Sequence, residues 1–415
     1  MPPLSPDLPV VLVSTLVVLV PTLVLIRSNM TQSKGFMTLV LQRIHSLYRT
    51  SPLLRTVAQL LPNKPPKGLP PLTRFEKVSS RAVRVLGLNP GAHTLQGTNT
   101  WLVTGTDTGG AHILVDTGEA HSAEQYIALL FDEVFPTTGT KRLSHILLTH
   151  GHGDHQGGVL RLLSELKSRN MLPLPTIYKR HMDSGGGGEH IEDQQEFTVG
   201  SSGGGGNGTT LRACYTPGHT DDHVGFVMPE EGAFLSGDCV LGCGTSVFDD
   251  LHEYMQSLRK IRGLIVDSGG GRAGSGLGRD SAGAGVQPMN TIYPGHGPVI
   301  RGSALQKIDE YLLHRDTREQ QIMDVLENGG NGEQGKGGKG KEQKGARKRL
   351  RGEGGVKGGV KGELWLPSWD IMHALYGDLN IFVQMSALHN VGHHLQKLKA
   401  EGKITYRWPD LWRAN

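Results

Sequence analysis

Short apolar runs that end in glycine, histidine or aspartate recur through the middle of the chain. Residues 143–148, Leu-Ser-His-Ile-Leu-Leu, have the length and content of a buried strand, and residues 159–166 have those of a helix. Residues 113–115, 211–215, 233–235 and 291–293 are further apolar strands, each running straight into a loop. At the amino end, residues 8–26 form an almost unbroken apolar run, softened only by Ser14, Thr15, Pro21 and Thr22. At the carboxyl end, residues 368–376 predict one capped helix. Residues 386–400 predict a second with His, Asn and Lys on its polar face, and 402–407 a returning strand. Helix, helix and wing in that order resemble a winged helix, whose second helix serves either to meet a nucleic acid or to pack and cover a pocket.

Composition divides the chain further. A length of 415 residues accommodates two or three domains, and the 59 glycines collect at 185–188, 203–206, 268–285 and 329–362. Such stretches offer little apolar surface to offset the entropy of ordering, so they read as mobile insertions. A phosphate-binding loop would need Gly-Lys-Ser or Gly-Lys-Thr, which the chain lacks. Cys214, Cys239 and Cys243 cannot all pair and show no zinc-ribbon spacing, which excludes a disulfide scaffold and points to a reducing or neutral compartment. Cys239, although it follows Asp238, reads as a small buried hydrophobe.

Charge is uneven. Lys plus Arg against Asp plus Glu stand at 8 to 1 over residues 1–75, 20 to 30 over 76–332, 10 to 3 over 333–362 and 5 to 5 over 363–415. The central body is therefore acidic, which weighs against a polyanionic partner. The basic run 336–361, with Arg-Lys-Arg-Leu-Arg at 347–351, is either a tether for RNA or a plain flexible linker. Residues 8–26 are just long enough to span a bilayer, and the basic residues after them would keep the bulk of the chain on the cytoplasmic or matrix side. Residues 36–61 also have the Arg-bearing, acid-free pattern of an organelle-targeting segment. Both alternatives, mitochondrial targeting and a membrane anchor, stay open.

The chemistry concentrates at 149–158, Thr-His-Gly-His-Gly-Asp-His-Gln-Gly-Gly, where His150, His152, Asp154 and His155 offer imidazole and carboxylate donors suited to zinc or a similar transition ion. Glycines 151, 153, 157 and 158 are expected to let the backbone turn sharply enough for these side chains to converge. His219, Asp238 and His296 follow, each in a loop after an apolar strand. Singly each is a turn residue as readily as a ligand; in this order they supply what a two-ion site still needs. Asn99 belongs either to ordinary turn chemistry or to substrate contact, and Asp116 to fixing a loop. His223 is expected to orient a ligand. His112, His145, His181, His190 and His252 have no spacing partners and are read as non-functional; His393 and His394 are read as surface or packing residues.

The pattern His-x-His-x-Asp-His, then Gly-His, Gly-Asp and Gly-His, resembles that of the metallo-β-lactamase superfamily. The strings at 83–90, 94–100, 113–118, 216–223 and 293–299 resemble more narrowly the beta-lactamase-like protein 2 group, metal-dependent endoribonucleases acting on single-stranded RNA. This likeness runs from about residue 78 to 327 and again from 363 to the end. It departs at Gly151 and Gly153, where the group usually carries an aromatic and a basic residue.

The resemblance implies a four-layer αβ/βα sandwich, an α/β fold, followed by a winged-helix-like module. It implies that His150, His152 and His219 hold one metal ion and Asp154, His155 and His296 another, with Asp238 between them. Two zinc ions, with manganese as the alternative, would activate a bridging hydroxide, and Asp154 or Asp238 would receive the proton. The expected domains are an anchor or targeting segment (1–75), a catalytic domain (76–328), a Gly/Lys-rich linker (329–362) and the carboxyl-terminal module (363–415). The expected activity is cleavage of single-stranded RNA. Hydrolysis of a thioester of acyl carrier protein, coenzyme A or glutathione is the alternative, and a membrane-tethered binding protein without turnover a third reading.

Overall fold

The computed structural model describes residues 64–105, 110–180, 188–200, 208–269, 287–328, 365–377, 381–408 and 410–415. The apolar run 8–26, the segment 36–61, His181 and, wholly or for the most part, the glycine-rich stretches and the basic linker lie outside the described residues. Among the described residues no helix is long and apolar enough to cross a membrane. The chain divides into two compact units, one ending at Arg315 and the other beginning at Asp316.

The first unit is built on two sheets. Strands β1 (Phe75–Lys77), β2 (Ala82–Leu86), β3 (Asn99–Val103), β4 (Ala111–Val115), β5 (Arg142–Leu147), β6 (Thr176–Lys179) and β7 (Glu189–His190) form a seven-stranded sheet in sequence order. Its pairs are antiparallel as far as β4 and parallel from β4 to β7. Strands β8 (Glu196–Val199), β9 (Thr209–Tyr215), β10 (Val224–Met228), β11 (Ala233–Gly237), β12 (Thr291–Pro294) and β13 (Ile300–Arg301) form the second, six-stranded sheet. Helices α1 (Ala123–Leu129), α2 (Phe135–Thr138), the single turn α3 (Gly153–Gln156) and α4 (Val159–Ser168) follow β4 and β5. Helix α5 (Leu251–Gly269) follows β11, and α6 (Ala304–Asn328) follows β13.

Alternation along the strands creates the layers, because successive side chains leave opposite faces. Trp101, Val103, Ile113 and Val115 point into a core shared with Leu211, Ala213, Phe226 and Leu235 of the other sheet. Their neighbours Leu102 and Leu114 point outward onto Tyr126, Ile127, Leu162 and Leu166 of α1 and α4. On the far side, Cys214, Val227, Phe234 and Ile292 meet Tyr254, Leu258 and Ile261 of α5 and Ile308 and Tyr311 of α6. Three apolar seams thus separate four layers, helices, sheet, sheet, helices. This is the expected αβ/βα sandwich.

In the second unit α7 (Ser368–Tyr376), α8 (Ile381–Ala400) and the antiparallel pair β14 (Ile404–Arg407) and β15 (Leu411–Ala414) enclose Trp369, Met372, Leu388, Val391, Leu395 and Trp412. Ile322, Val325 and Leu326 of α6 complete that core, so residues 316–328 pack here and not with the sandwich to which the sequence reading gave them. Ser368 was expected to cap its helix. Pro367 takes the cap position instead, and the Ser368 amide and hydroxyl donate to Asp410 at 3.0 and 2.5 Å. The same carboxylate accepts the Trp412 indole N–H at 2.8 Å, tying the start of α7 to β15. His394 is fully buried, 3.7 Å from Glu319, so it is a packing residue; His393 lies on the solvent side beside His389.

Candidate metal centre

The ligand loop leaves the carboxyl end of β5, where parallel neighbours on both sides hold its root. His152 precedes the turn α3, and Asp154 and His155 lie within it. Glycines 151, 153, 157 and 158 are absent from the positive-φ residues, so the expectation that they permit a sharp turn is corrected. The last two are needed for space. A Cβ on Gly158 would lie 2.1 Å from the Thr117 carbonyl oxygen, and one on Gly157 2.6 Å from the Ala120 amide nitrogen. Their absence lets the loop pack directly on the strand end after β4.

The second sheet supplies the other donors. Gly218 has φ +120° and a Cβ there would lie 2.2 Å from the Tyr254 amide, so glycine alone lets the turn carrying His219 rest on α5. Asp238 follows β11 and His296 follows β12, two strands paired in parallel, which brings both loops to the same edge.

The structure gathers the donor atoms into two groups, His150, His152, His219 and Asp238 in one and Asp154, His155 and His296 in the other, the atoms of each lying within 4.8 Å of one another. His152 Nδ1 lies 3.0 Å from His150 Nε2 and 3.1 Å from His219 Nε2. Around the carboxylate of Asp238, the Nε2 atoms of His155, His219 and His296 stand at 3.4, 3.6 and 3.2 Å. Asp154 Oδ2 lies 3.3 Å from the Nε2 atoms of both His155 and His296.

Outer contacts aim the rings. His219 Nδ1 donates to the Val247 carbonyl at 2.8 Å and His155 Nδ1 to Asp116 at 2.8 Å, which turns both Nε2 lone pairs inward. Asp116 also accepts the Thr149 amide and hydroxyl, each at 2.8 Å, and sits at φ 62°, a left-handed conformation that Asp tolerates better than most residues. The loop-fixing role expected for Asp116 therefore has a visible geometry. His223 orients a ligand as expected, though through a backbone amide and not through an imidazole ring: its Nε2 accepts the Asp238 amide at 3.1 Å while Nδ1 meets the Thr216 hydroxyl at 2.9 Å.

Asn99 is a correction to the substrate-contact alternative. It is fully buried, and its amide donates to the carbonyls of Pro294 and Gly297 at 2.9 and 2.8 Å, bracing the loop that carries His296. Thr98, which donates to Asp154 at 3.0 Å, Ser246, which donates to the Asp238 carbonyl at 2.5 Å, and Val247 escaped the sequence reading. Thr98 lies in the string 94–100 and was within reach of it; a backbone carbonyl such as that of Val247 leaves no mark in a sequence.

Electrostatics follow from burial and these contacts. Burial holds His150 well below the ordinary histidine range and His223 at about 3; packing of the otherwise exposed His152 against the cluster desolvates its ring and, with the His219 ring beside it, holds it at about 4, so all three rings are neutral. Burial opposes ionisation of Asp154 and Asp238, yet the facing imidazoles hold both carboxyls well below their usual range. Burial likewise opposes charge on His155 and His296, but the carboxylates override it, raising His296 to about 9 and His155 well above its usual value. Neutral rings crowded nitrogen to nitrogen and ionised carboxylates among them fit divalent cations, and a cation entering the second group displaces protons.

A four-layer sandwich with such a cluster at the strand ends defines a class of metal-dependent hydrolase. The Metallo-beta-lactamase superfamily profile matches residues 93–280, and the Beta-lactamase associated winged helix domain profile matches 368–408. The chain is 36% identical over 352 residues to a Beta-lactamase-like protein 2 homolog of Caenorhabditis elegans, covering 82% of this chain and 94% of that one. It belongs to the metallo-β-lactamase superfamily of hydrolases. An Atrochrysone carboxyl ACP thioesterase of Aspergillus fumigatus is 39% identical over 266 residues, 63% of this chain and 70% of that protein. A beta-lactamase domain protein of Burkholderia ambifaria shares the fold at a TM-score of 0.55 and 14% identity, covering 85% of this chain and 99% of that one.

Proposed function

We propose that the protein is an endoribonuclease that cleaves phosphodiesters of single-stranded RNA with two bound zinc or manganese ions. The observation that carries this reading is the match to the nematode relative across 94% of its length, together with the separate match of residues 368–408 to a winged-helix profile. The open mouth of the centre agrees with it: His152 is exposed, and a Cβ on Gly153 would meet nothing within 4 Å, so an extended chain could pass over the loop. His150, His152, His219 and Asp238 would hold one ion, and Asp154, His155 and His296 the other. Bound there, the ions supply Lewis acidity and an acidified water. Asp116 and the Val247 carbonyl keep the donor lone pairs aimed. Thr98 fixes Asp154 through a hydrogen bond to its Oδ2.

The Aspergillus relative favours a second reading, hydrolysis of an acyl thioester, and the acidic body of the chain agrees with it. Both are tested by incubating the purified chain with labelled single-stranded RNA and, separately, with acyl-coenzyme A and acyl carrier protein thioesters. Asp154→Ala and chelator-treated protein serve as controls. Metal-restored RNA cleavage absent from Asp154→Ala is expected; thioester turnover without RNA cleavage retires the first reading, and full activity after metal stripping retires both.

A further inference from the structure

The turn between His219 and His223 carries a carboxylate that the metal centre does not use. Asp222 is half-buried, and its Oδ1 accepts the Thr220 hydroxyl at 2.7 Å. Its Oδ2 lies 3.0 Å from where a Cβ on Gly151 would stand, and it has no hydrogen-bond or ion-pair partner among the described residues. Gly151 is the residue between His150 and His152, and its carbonyl is held by the Gln156 amide at 2.5 Å. Glycine at 151 thus leaves room for an acidic oxygen to rest over the ligand loop, one residue from two metal donors.

A carboxylate oxygen that no protein donor faces is satisfied by water until a ligand group takes that water's place. Thr220 fixes the orientation, so the free oxygen is presented at a defined place and not left to swing. We propose that Asp222 is a specificity-determining residue that accepts a hydrogen bond from a hydroxyl of the substrate beside the scissile bond. For the identity of that hydroxyl the proposal rests on the ribonuclease reading, which makes it the ribose 2′-hydroxyl, the group by which a protein tells RNA from DNA.

The test compares wild type, Asp222→Ala and the near-isosteric Asp222→Asn, all metal-loaded, on RNA and DNA oligonucleotides of one sequence, with bound metal measured by mass spectrometry. Expected is an RNA-to-DNA ratio of kcat/KM that falls about ten- to hundredfold in Asp222→Ala, as for one lost hydrogen bond to a charged acceptor, and less in Asp222→Asn. Metal content should stay at the wild-type level. A ratio within about twofold of wild type, or variants that lose their metal, overturns the proposal. If wild type leaves RNA intact, the ribonuclease reading alone falls, and the same ratio is taken between 3-hydroxybutyryl- and butyryl-coenzyme A. A comparable fall there sustains the role of Asp222; an unchanged ratio, or inertness towards both classes, ends it.

Discussion

His155 Nδ1 and Asp116 Oδ2 lie 2.8 Å apart, with side chains 0% and 2% exposed. Through the other oxygen of Asp116 the contact reaches the Thr149 amide, so one carboxylate fixes both the root of the ligand loop and the ring at its far end. Asp116→Asn presents an N–H or a weaker acceptor to His155. Affinity for the ion of the second group is expected to fall roughly ten- to hundredfold, read by competition with a chelator. Unaltered affinity would show that the ring needs no such support.

Two glycine-to-alanine changes should separate sharply. A Cβ on Gly295 would lie 2.3 Å from Asp238 Oδ1, whereas one on Gly153 has nothing within 4 Å. Gly295→Ala is expected to displace Asp238, losing stoichiometric metal and nearly all turnover. Gly153→Ala should keep both, within about 0.5 kcal/mol of wild-type stability in urea. Equal behaviour of the two would refute the geometry assigned to Asp238.

Acid stability should carry the imprint of His112, whose Nδ1 lies 2.7 Å from the Thr140 hydroxyl and whose burial lowers its pKa from 6.5 to about 4. The fold favours the neutral ring, so the unfolded chain takes up the proton first as pH falls. The stabilisation is complete above about pH 6.5 and is lost towards pH 4, by roughly 3 kcal/mol in all. Urea midpoints of wild type and His112→Gln between pH 7.5 and pH 4 should converge on acidification. Parallel curves would sink the assignment.

In the carboxyl-terminal unit Lys397 donates to Glu319 at 2.8 Å and to Glu401 at 2.7 Å, with only 5% and 9% of the Lys397 and Glu319 side chains exposed. Lys397→Met leaves Glu319 buried without its cation and is expected to cost about 3–5 kcal/mol, whereas Lys397→Met with Glu319→Leu should recover much of it. Thermal unfolding of the three proteins decides; a single variant as stable as wild type would mean that water reaches Glu319.

Much of this was legible in the sequence. The strands were readable because short unbroken apolar runs report burial on both faces, as in Ile113, Leu114 and Val115. His150 to His155 stood out because four donors fall in one short loop. His219, Asp238 and His296 are single residues in separate turns, and only their order, and the likeness it raised, joined them. What failed to show were relations across the fold. Asn99 looked available to substrate because nothing local reveals that the Pro294 and Gly297 carbonyls come to it. Gly157 and Gly158 looked like turn formers because their crowding partners, Ala120 and Thr117, lie some forty residues earlier. The apolar residues Ile322, Val325 and Leu326 continue one helix without a break, so the passage from one core to another leaves no punctuation.

The donors of the metal centre come from both sheets: His150, His152, Asp154 and His155 from the first, His219, Asp238 and His296 from the second. Cations held there would rivet the halves of the sandwich together, so stripping them loosens the whole unit as well as stopping its chemistry. Ligand occupancy adds to folding free energy by mass action. A filled centre would thereby leave the unit harder to unfold than an empty one.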